Sequence, residues 1–286
     1  MNDTTMTHFE LAAMEPTPSD DVGELPLDKR LIGERSRTNL LHWIYRFGWL
    51  TSRMAAALGW ASAAQGWQMA RRTLKAMQED GLVIKRALPG AGTDAFLLSA
   101  KGARLLREMT GAEAASGQSM TLGNAVHRAC SNWVLIDAIQ QGCEVVTEHE
   151  IATDRAAVRV LGGKVSDGLI LYEGGDASFL EVENSWKAAK GREAIVQFCA
   201  QHLDQEAMTQ LAPEHWLRKV HVVSTNTDAL RHLAGTFLKA FRAGELTESQ
   251  LQLVDVTLLP VSPSLVPGER VHGNLWLDVM LPHLQQ

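Results

Sequence analysis

Residues 164–186, KVSDGLILYEGGDASFLEVENSW, constrain the fold more than any other stretch. Two apolar runs of strand length, GLIL and SFLEV, flank the turn EGGDA, and that pattern predicts a β-hairpin. A strand alternates faces, so Glu181 and Glu183 are expected on one side, with Leu180 and Val182 on the other. Asp167 opens the first strand, and hairpin pairing is expected to bring it beside the two glutamates. Three like charges that close repel strongly unless a cation neutralises them or some become protonated. Hard oxygen ligands suit Mg²⁺ or Mn²⁺, and such an ion can activate water and stabilise charge on a phosphodiester in transfer. The sequence therefore predicts a metal site of Asp167, Glu181 and Glu183 with nuclease chemistry.

At 286 residues the chain is long enough for two modest domains. No apolar run approaches the length of a membrane span. The acidic N-terminus lacks the basic start, apolar stretch and cleavage site of a secretory signal, so a cytoplasmic protein is expected. Cys130, Cys143 and Cys199 form no CxxC pair and read as buried free thiols.

Charge is segregated along the chain. Residues 1–33 carry two basic and seven acidic side chains, and with Pro16, Pro18 and Pro26 they read as a flexible acidic tail. Residues 34–110 carry twelve basic and five acidic groups, a net of +7, whereas residues 111–286 carry a net of −8. A basic module joined to an acidic one points to nucleic acid.

The basic module reads as a winged helix-turn-helix over residues 34–110. Leu40, Leu41, Ile44 and Phe47 recur at helical spacing, Thr51 is placed to cap a second helix, and Ser62 with Gln65 forms an S-x-x-Q capping signature for a third that ends at Gly81. The runs LVIKRAL and AFLLS around PGAGTD predict a hairpin wing, and a helix from Lys101 to Met109 follows. The third helix qualifies as a recognition helix: Trp67, Met69, Ala70, Leu74 and Met77 form its apolar side and Gln65, Gln68, Arg71, Arg72 and Lys75 its outer side. Gln suits adenine and Arg guanine, whereas Lys75, and Lys85 and Arg86 on the wing, suit phosphates. Double-stranded DNA is the expected partner.

Residues 111–120, GAEAASGQSM, are small and polar and read as a linker. Residues 121–286 follow as helix (122–141), strands (143–151, 165–172, 178–184), helix (187–203), strand (220–224), helix (228–243) and two strand-like runs (253–261, 275–281). The fold class expected is thus α+β or α/β, a winged helix followed by an αβββαβ domain.

This layout resembles the PD-(D/E)xK nuclease superfamily, whose fold is that of restriction endonucleases. SDG at 166–168 stands for P-D with Ser166 in place of proline, and EVE at 181–183 stands for (D/E)-x-K with Glu183 where lysine is usual. Lys187 or Lys190 could then supply a migrated cation, and Gln197 resembles the glutamine that some members place near the metal. Read together, EDGLV, FLLSAKG, LGNAVHRACSNW, SDG and FLEVENSW, over residues 36–203, resemble the replication-relaxation family, which includes plasmid mobilisation relaxases of the C class. Asn184 and Trp186 depart from that family's pattern. The resemblance implies a protein that binds an origin of transfer through its winged helix and nicks one strand at an Mg²⁺ or Mn²⁺ site, with a coupling or relaxosome protein as a further partner.

His127 and Asn124 share a helical face at i, i+3. His127 is read as a proton donor to the leaving oxygen, as a hydrogen-bond partner of a catalytic acid, or as a structural group. Glu148 and Glu150 are expected on a solvated strand face. Tyr45 and Tyr172 look structural and no H-x-H is present, which disfavours covalent tyrosyl transfer. Walker and dinucleotide fingerprints are absent, and the GG pairs at 162 and 174 read as turns. The alternatives to a nickase are a DNA-binding transcription or replication accessory protein with a silent nuclease-like domain, and a structural ion-pair network with Lys187, Lys190 and Arg192.

Overall fold

The computed structural model describes residues 28–183, 189–204 and 208–284, an α+β chain of N-terminal helices, a small antiparallel hairpin and a larger mixed sheet with helices. None of the described helices is long and apolar enough to cross a membrane. The first elements are α1 (Lys29–Phe47), α2 (Ser52–Gly59), α3 (Gly66–Glu79), β1 (Val83–Ala87), β2 (Asp94–Leu98) and α4 (Ala100–Thr110). Leu40, Leu41, Ile44 and Phe47 are all buried, as one stripe of α1. Thr51 Oγ1 accepts the Met54 N–H at 3.2 Å and starts α2. Gly81, at φ +71°, ends α3: its N–H donates to Gln78 O at 3.0 Å and the Leu82 N–H to Met77 O at 2.8 Å.

The expected cap at Ser62 does not form. Residues 60–66 make successive turns, with Ala63 N–H donating to Trp60 O and Gly66 N–H to Ala63 O, and α3 starts one turn later without a side-chain cap. Met69, expected in the core, is 40% exposed.

The segment read as a linker is strapped down. Arg86 reaches the carbonyls of Gly117, Gln118 and Met120, the last at 2.6 Å; Arg107 donates to Ala114 O, and the Gly117 N–H to Leu98 O.

Beyond it come α5 (Ala125–Gln140), β3 (Glu144–Thr147), α6 (Glu148–Ala152), β4 (Gly168–Leu171), β5 (Asp176–Val182), α7 (Ala189–His202), β6 (Gln210–Ala212), β7 (His215–Ser224), α8 (Thr227–Arg242), α9 (Glu248–Leu251), β8 (Val254–Leu258) and β9 (Val271–Asn274). A π-helical turn, Leu275–Met280, and α10 (Leu281–Leu284) close the described chain. The sheet runs β3-β4-β5-β7-β8-β9 with β6 beside β7. β5, β7 and β8 are parallel, joined by crossovers that contain α7 and α8, and the flanking pairs are antiparallel.

Two expectations fail here. Residues 148–151 are helix rather than strand, because Thr147 and Glu150 close a reciprocal capping box. Glu148 and Glu150 therefore share no strand face, and Glu150 is paired with Arg46 at 2.7 Å. Residues 275–281 are helical because Asn274 Oδ1 accepts the N–H groups of Trp276 and Leu277.

Alternation along β5 sorts the core. Leu180 and Val182 join α5 and the N-terminal helices in one cluster with Leu40, Phe47 and Leu135, whereas Phe179 packs on the opposite side with Phe198 of α7 and Phe237 of α8.

Candidate functional site

Two charged regions stand out, one exposed and one buried. The first is the outer side of α3. Gln65, Gln68, Arg71, Arg72 and Lys75 are exposed, and Gln68, Arg71, Arg72 and Lys75 line one groove with Lys85 of β1. Asp94 on β2 is the acid in that groove, paired with Lys85 at 2.7 Å. Lys75 meets Glu79 at 3.7 Å, a fully solvated helix pair of little energetic weight. Arg71 and Arg72 form no ion pair among the described residues.

Trp67 organises the face. Its Nε1 donates to Ser52 Oγ at 3.3 Å, and its ring lies under two guanidiniums, Arg53 at 4.0 Å and Arg71 at 4.9 Å. Arg53, on the first turn of α2, was not singled out from the sequence. The signal was available in its place two residues after the Thr51 cap, at the solvated start of α2. Arg86 does not join the face: its guanidinium is committed to the carbonyls of residues 117, 118 and 120.

The second region lies at one end of β4 and β5. Hairpin pairing sets Gly168 opposite Leu180, and the Asp167 N–H donates to Leu180 O at 3.0 Å. Asp167 Oδ2 accepts the Val182 N–H at 2.8 Å, taking a ladder position beyond the end of β4. Its Oδ1 lies 3.0 Å from His127 Nε2 on the first turn of α5, whose start is fixed by Asn124 Oδ1 accepting the His127 N–H. Ser166, buried where the superfamily pattern has proline, holds the turn: its Oγ lies 3.0 Å from Leu180 O and accepts the Gly168 N–H at 3.2 Å. Gly168 is favoured by its φ of +152°, and a Cβ there would meet Leu135 Cδ1 at 2.9 Å, so that side chain would have to shift.

Glu181 faces the other way. It lies on the Phe179 side of β5, buried, with Lys164 Nζ 2.8 Å from its Oε1. Burial and then the Glu181 charge raise the Cys199 thiol on α7, which places that carboxylate toward α7. Glu183 is buried one step beyond β5, its N–H donating to Val223 O at 2.7 Å. Asp167 is thus drawn to α5 by His127, and Glu181 to Lys164. Among the described residues no group of three His, Cys, Asp or Glu side chains could hold a metal ion. Among the described residues both Asp167 oxygens and one Glu181 oxygen are engaged within the chain.

Lys164 was missed from the sequence. Lys187 lies outside the described residues, as do Asn184 and Trp186. Gln197 is exposed and lines a cleft between α7 and α8 with Glu193 and Lys239. The Tyr172 hydroxyl is 3.3 Å from Ser178 Oγ, and the Tyr45 ring lies under Arg155 at 4.0 Å. Burial pushes the Cys130 thiol up to about 12, and Cys143 is half-buried.

With that geometry in view, no family model, curated protein or solved structure matches this chain.

Proposed function

We propose that the protein binds double-stranded DNA, reading base edges with Arg71, Arg72 and Gln68 of α3 and gripping phosphates with Arg53, Lys75 and Lys85. One observation carries the reading: the outer side of α3 and the adjacent hairpin share a groove whose basic groups outnumber its single acid. A polyanion supplies the missing counter-charge and releases its own condensed ions on binding. The succession of three helices, a two-stranded hairpin and a fourth helix supports a winged helix-turn-helix over α1–α4.

The sheet domain is taken as a nuclease-like scaffold without activity, because Asp167 is engaged by the His127 ring and the Val182 N–H, and Glu181 is paired with Lys164. The protein is then a transcription or replication accessory factor. Metal-dependent nicking at an origin of transfer is the other reading. It is supported by the adjacency of Asp167 and Glu181 at one hairpin end.

One experiment addresses both. The protein is titrated into a labelled mixed-sequence duplex and, separately, incubated with supercoiled plasmid and Mg²⁺ or Mn²⁺. Wild type is expected to bind duplex with a dissociation constant of about 1–100 μM, the range of sequence-independent binding. The Arg71→Ala, Arg72→Ala double variant is expected to lose most of that affinity, and unchanged binding overturns the assignment of α3. Open-circle product that disappears in Asp167→Asn and Glu181→Gln establishes the nickase instead.

A further inference from the structure

Apart from both charged regions, a cavity of about 390 Å³ lies between α1, residues 113–120, α5 and the end of α6. That volume is within the range of small-molecule sites. Ile44, Leu98 and Met120 give it an apolar side, and Arg128, His149 and Arg155 a polar one.

The arginines on the polar side keep donors that the chain does not satisfy. Arg155 has its guanidinium 4.0 Å over the Tyr45 ring, donates to Tyr45 O at 3.0 Å and to Thr153 Oγ1, and forms no ion pair among the described residues. Arg128 donates to Phe47 O at 3.2 Å, and its nearest carboxylate oxygen, Glu148 Oε2, stands 3.9 Å away, beyond hydrogen-bond range. Arg128 Nε and Arg155 Nη2 are both buried donors without an acceptor, as Glu148 Oε2 is a buried acceptor without a donor. Burial, then the charges of Arg128 and Arg155, push His149 down to about 3, so it adds no cation at neutral pH. Glu113 sits at the exposed rim. Two arginines with buried, unsatisfied donors border a half-apolar space, with Glu148 too far to hydrogen-bond and Glu113 out at the exposed rim, and this leaves room for an acceptor from outside the chain.

We propose that this cavity binds a small molecule bearing an oxyanion, held by Arg128 and Arg155, with its apolar part against Ile44, Leu98 and Met120. A carboxylate and a phosphate group share the recognised chemistry. The proposal is independent of DNA binding.

Full-length protein is titrated with inorganic phosphate and with benzoate, each against chloride at matched ionic strength, reading heat and the thermal midpoint. Saturable binding of at least one probe is expected, and whichever probe binds identifies the source of the oxyanion. Arg155→Gln is expected to weaken it by about tenfold or more. Ser119→Asp, which sets a carboxylate on the exposed part of the wall, is expected to do the same and leaves every core contact in place. Arg104→Gln, 65% exposed on α4, is the charge control and is expected to bind as wild type. Saturation by neither probe overturns the proposal. So does retention of binding in Ser119→Asp, which decides the matter if Arg155→Gln does not fold, or equal weakening in Arg104→Gln.

Discussion

The outer side of α3 and the end of the β4–β5 hairpin both put charge beside apolar sequence, yet they solve different problems. On α3 the Lys75 side chain is 77% exposed, whereas the Glu181 side chain is 4% exposed and Lys164 closes on it. A solvated cation costs nearly nothing to keep and is free to exchange water and counterions for a polyanion. A buried acid is tolerable only when its counter-charge is built in. Charge in an apolar stretch therefore signals a partner outside the chain in the first case and a partner within it in the second.

The sharpest way to break the contrast is Lys164→Met. Removing one member of a buried pair is expected to cost about 3 kcal/mol in urea unfolding, because Glu181 stays behind. Recovery of that loss on adding Mn²⁺ would show that the carboxylates can take a metal after all. Gly168→Ala is next, at about 2 kcal/mol, from a backbone conformation alanine disfavours and a contact with Leu135 that must relax.

Acid should also act on the interior first. His221 Nε2 is 2.8 Å from Thr257 Oγ1, and burial, then His272, push its pKa down to about 4. A histidine depressed in the folded state binds its proton more readily when unfolded. Its contribution is complete above about pH 6.5 and is lost as the pH falls through 4, about 2 kcal/mol after allowance for partial exposure. His221→Gln should flatten that part of the stability curve, and an unchanged curve would refute the assignment. At the other extreme, Lys75→Ala is expected to move stability by no more than about 0.5 kcal/mol while lowering the slope of log affinity against log salt by about 1. A stability change larger than the affinity change would reverse the roles given to the two regions.

The helical part of the fold was legible because its signals are local. The α1 stripe, the Thr51 cap and the Gly81 terminator each act within one or two turns, and each was placed from spacing alone. The hairpin at 168–182 was legible for the same reason. Capping signatures were less dependable: Thr147 with Glu150 and Thr247 with Gln250 both close boxes, whereas Ser62 with Gln65 does not, because turns at 60–66 intervene. The run LWLDVML suits a strand and a buried helix equally by periodicity, and Asn274 decides between them. Adjacency of Asp167 to β5 could be inferred from the turn, and a hydrogen bond from His127 to an acid of the site was among its expected roles; the claim of Lys164 on Glu181 arises from residues 161–164 folding back, which no short-range pattern encodes.

One feature of the interior bears on how a load on α3 would be carried. Leu180 and Val182 of the sheet belong to the same cluster as Leu40, Phe47 and Leu74, and Trp133 on α5 donates to Leu265 O across it. The seam between the N-terminal helices and the sheet is thus packed with apolar side chains, and polar ties from Arg46 to Glu150, Arg128 to Phe47 O and Arg155 to Tyr45 O flank it. A load taken up on α3 would pass into the sheet through these packed side chains and ties rather than through a loose linker.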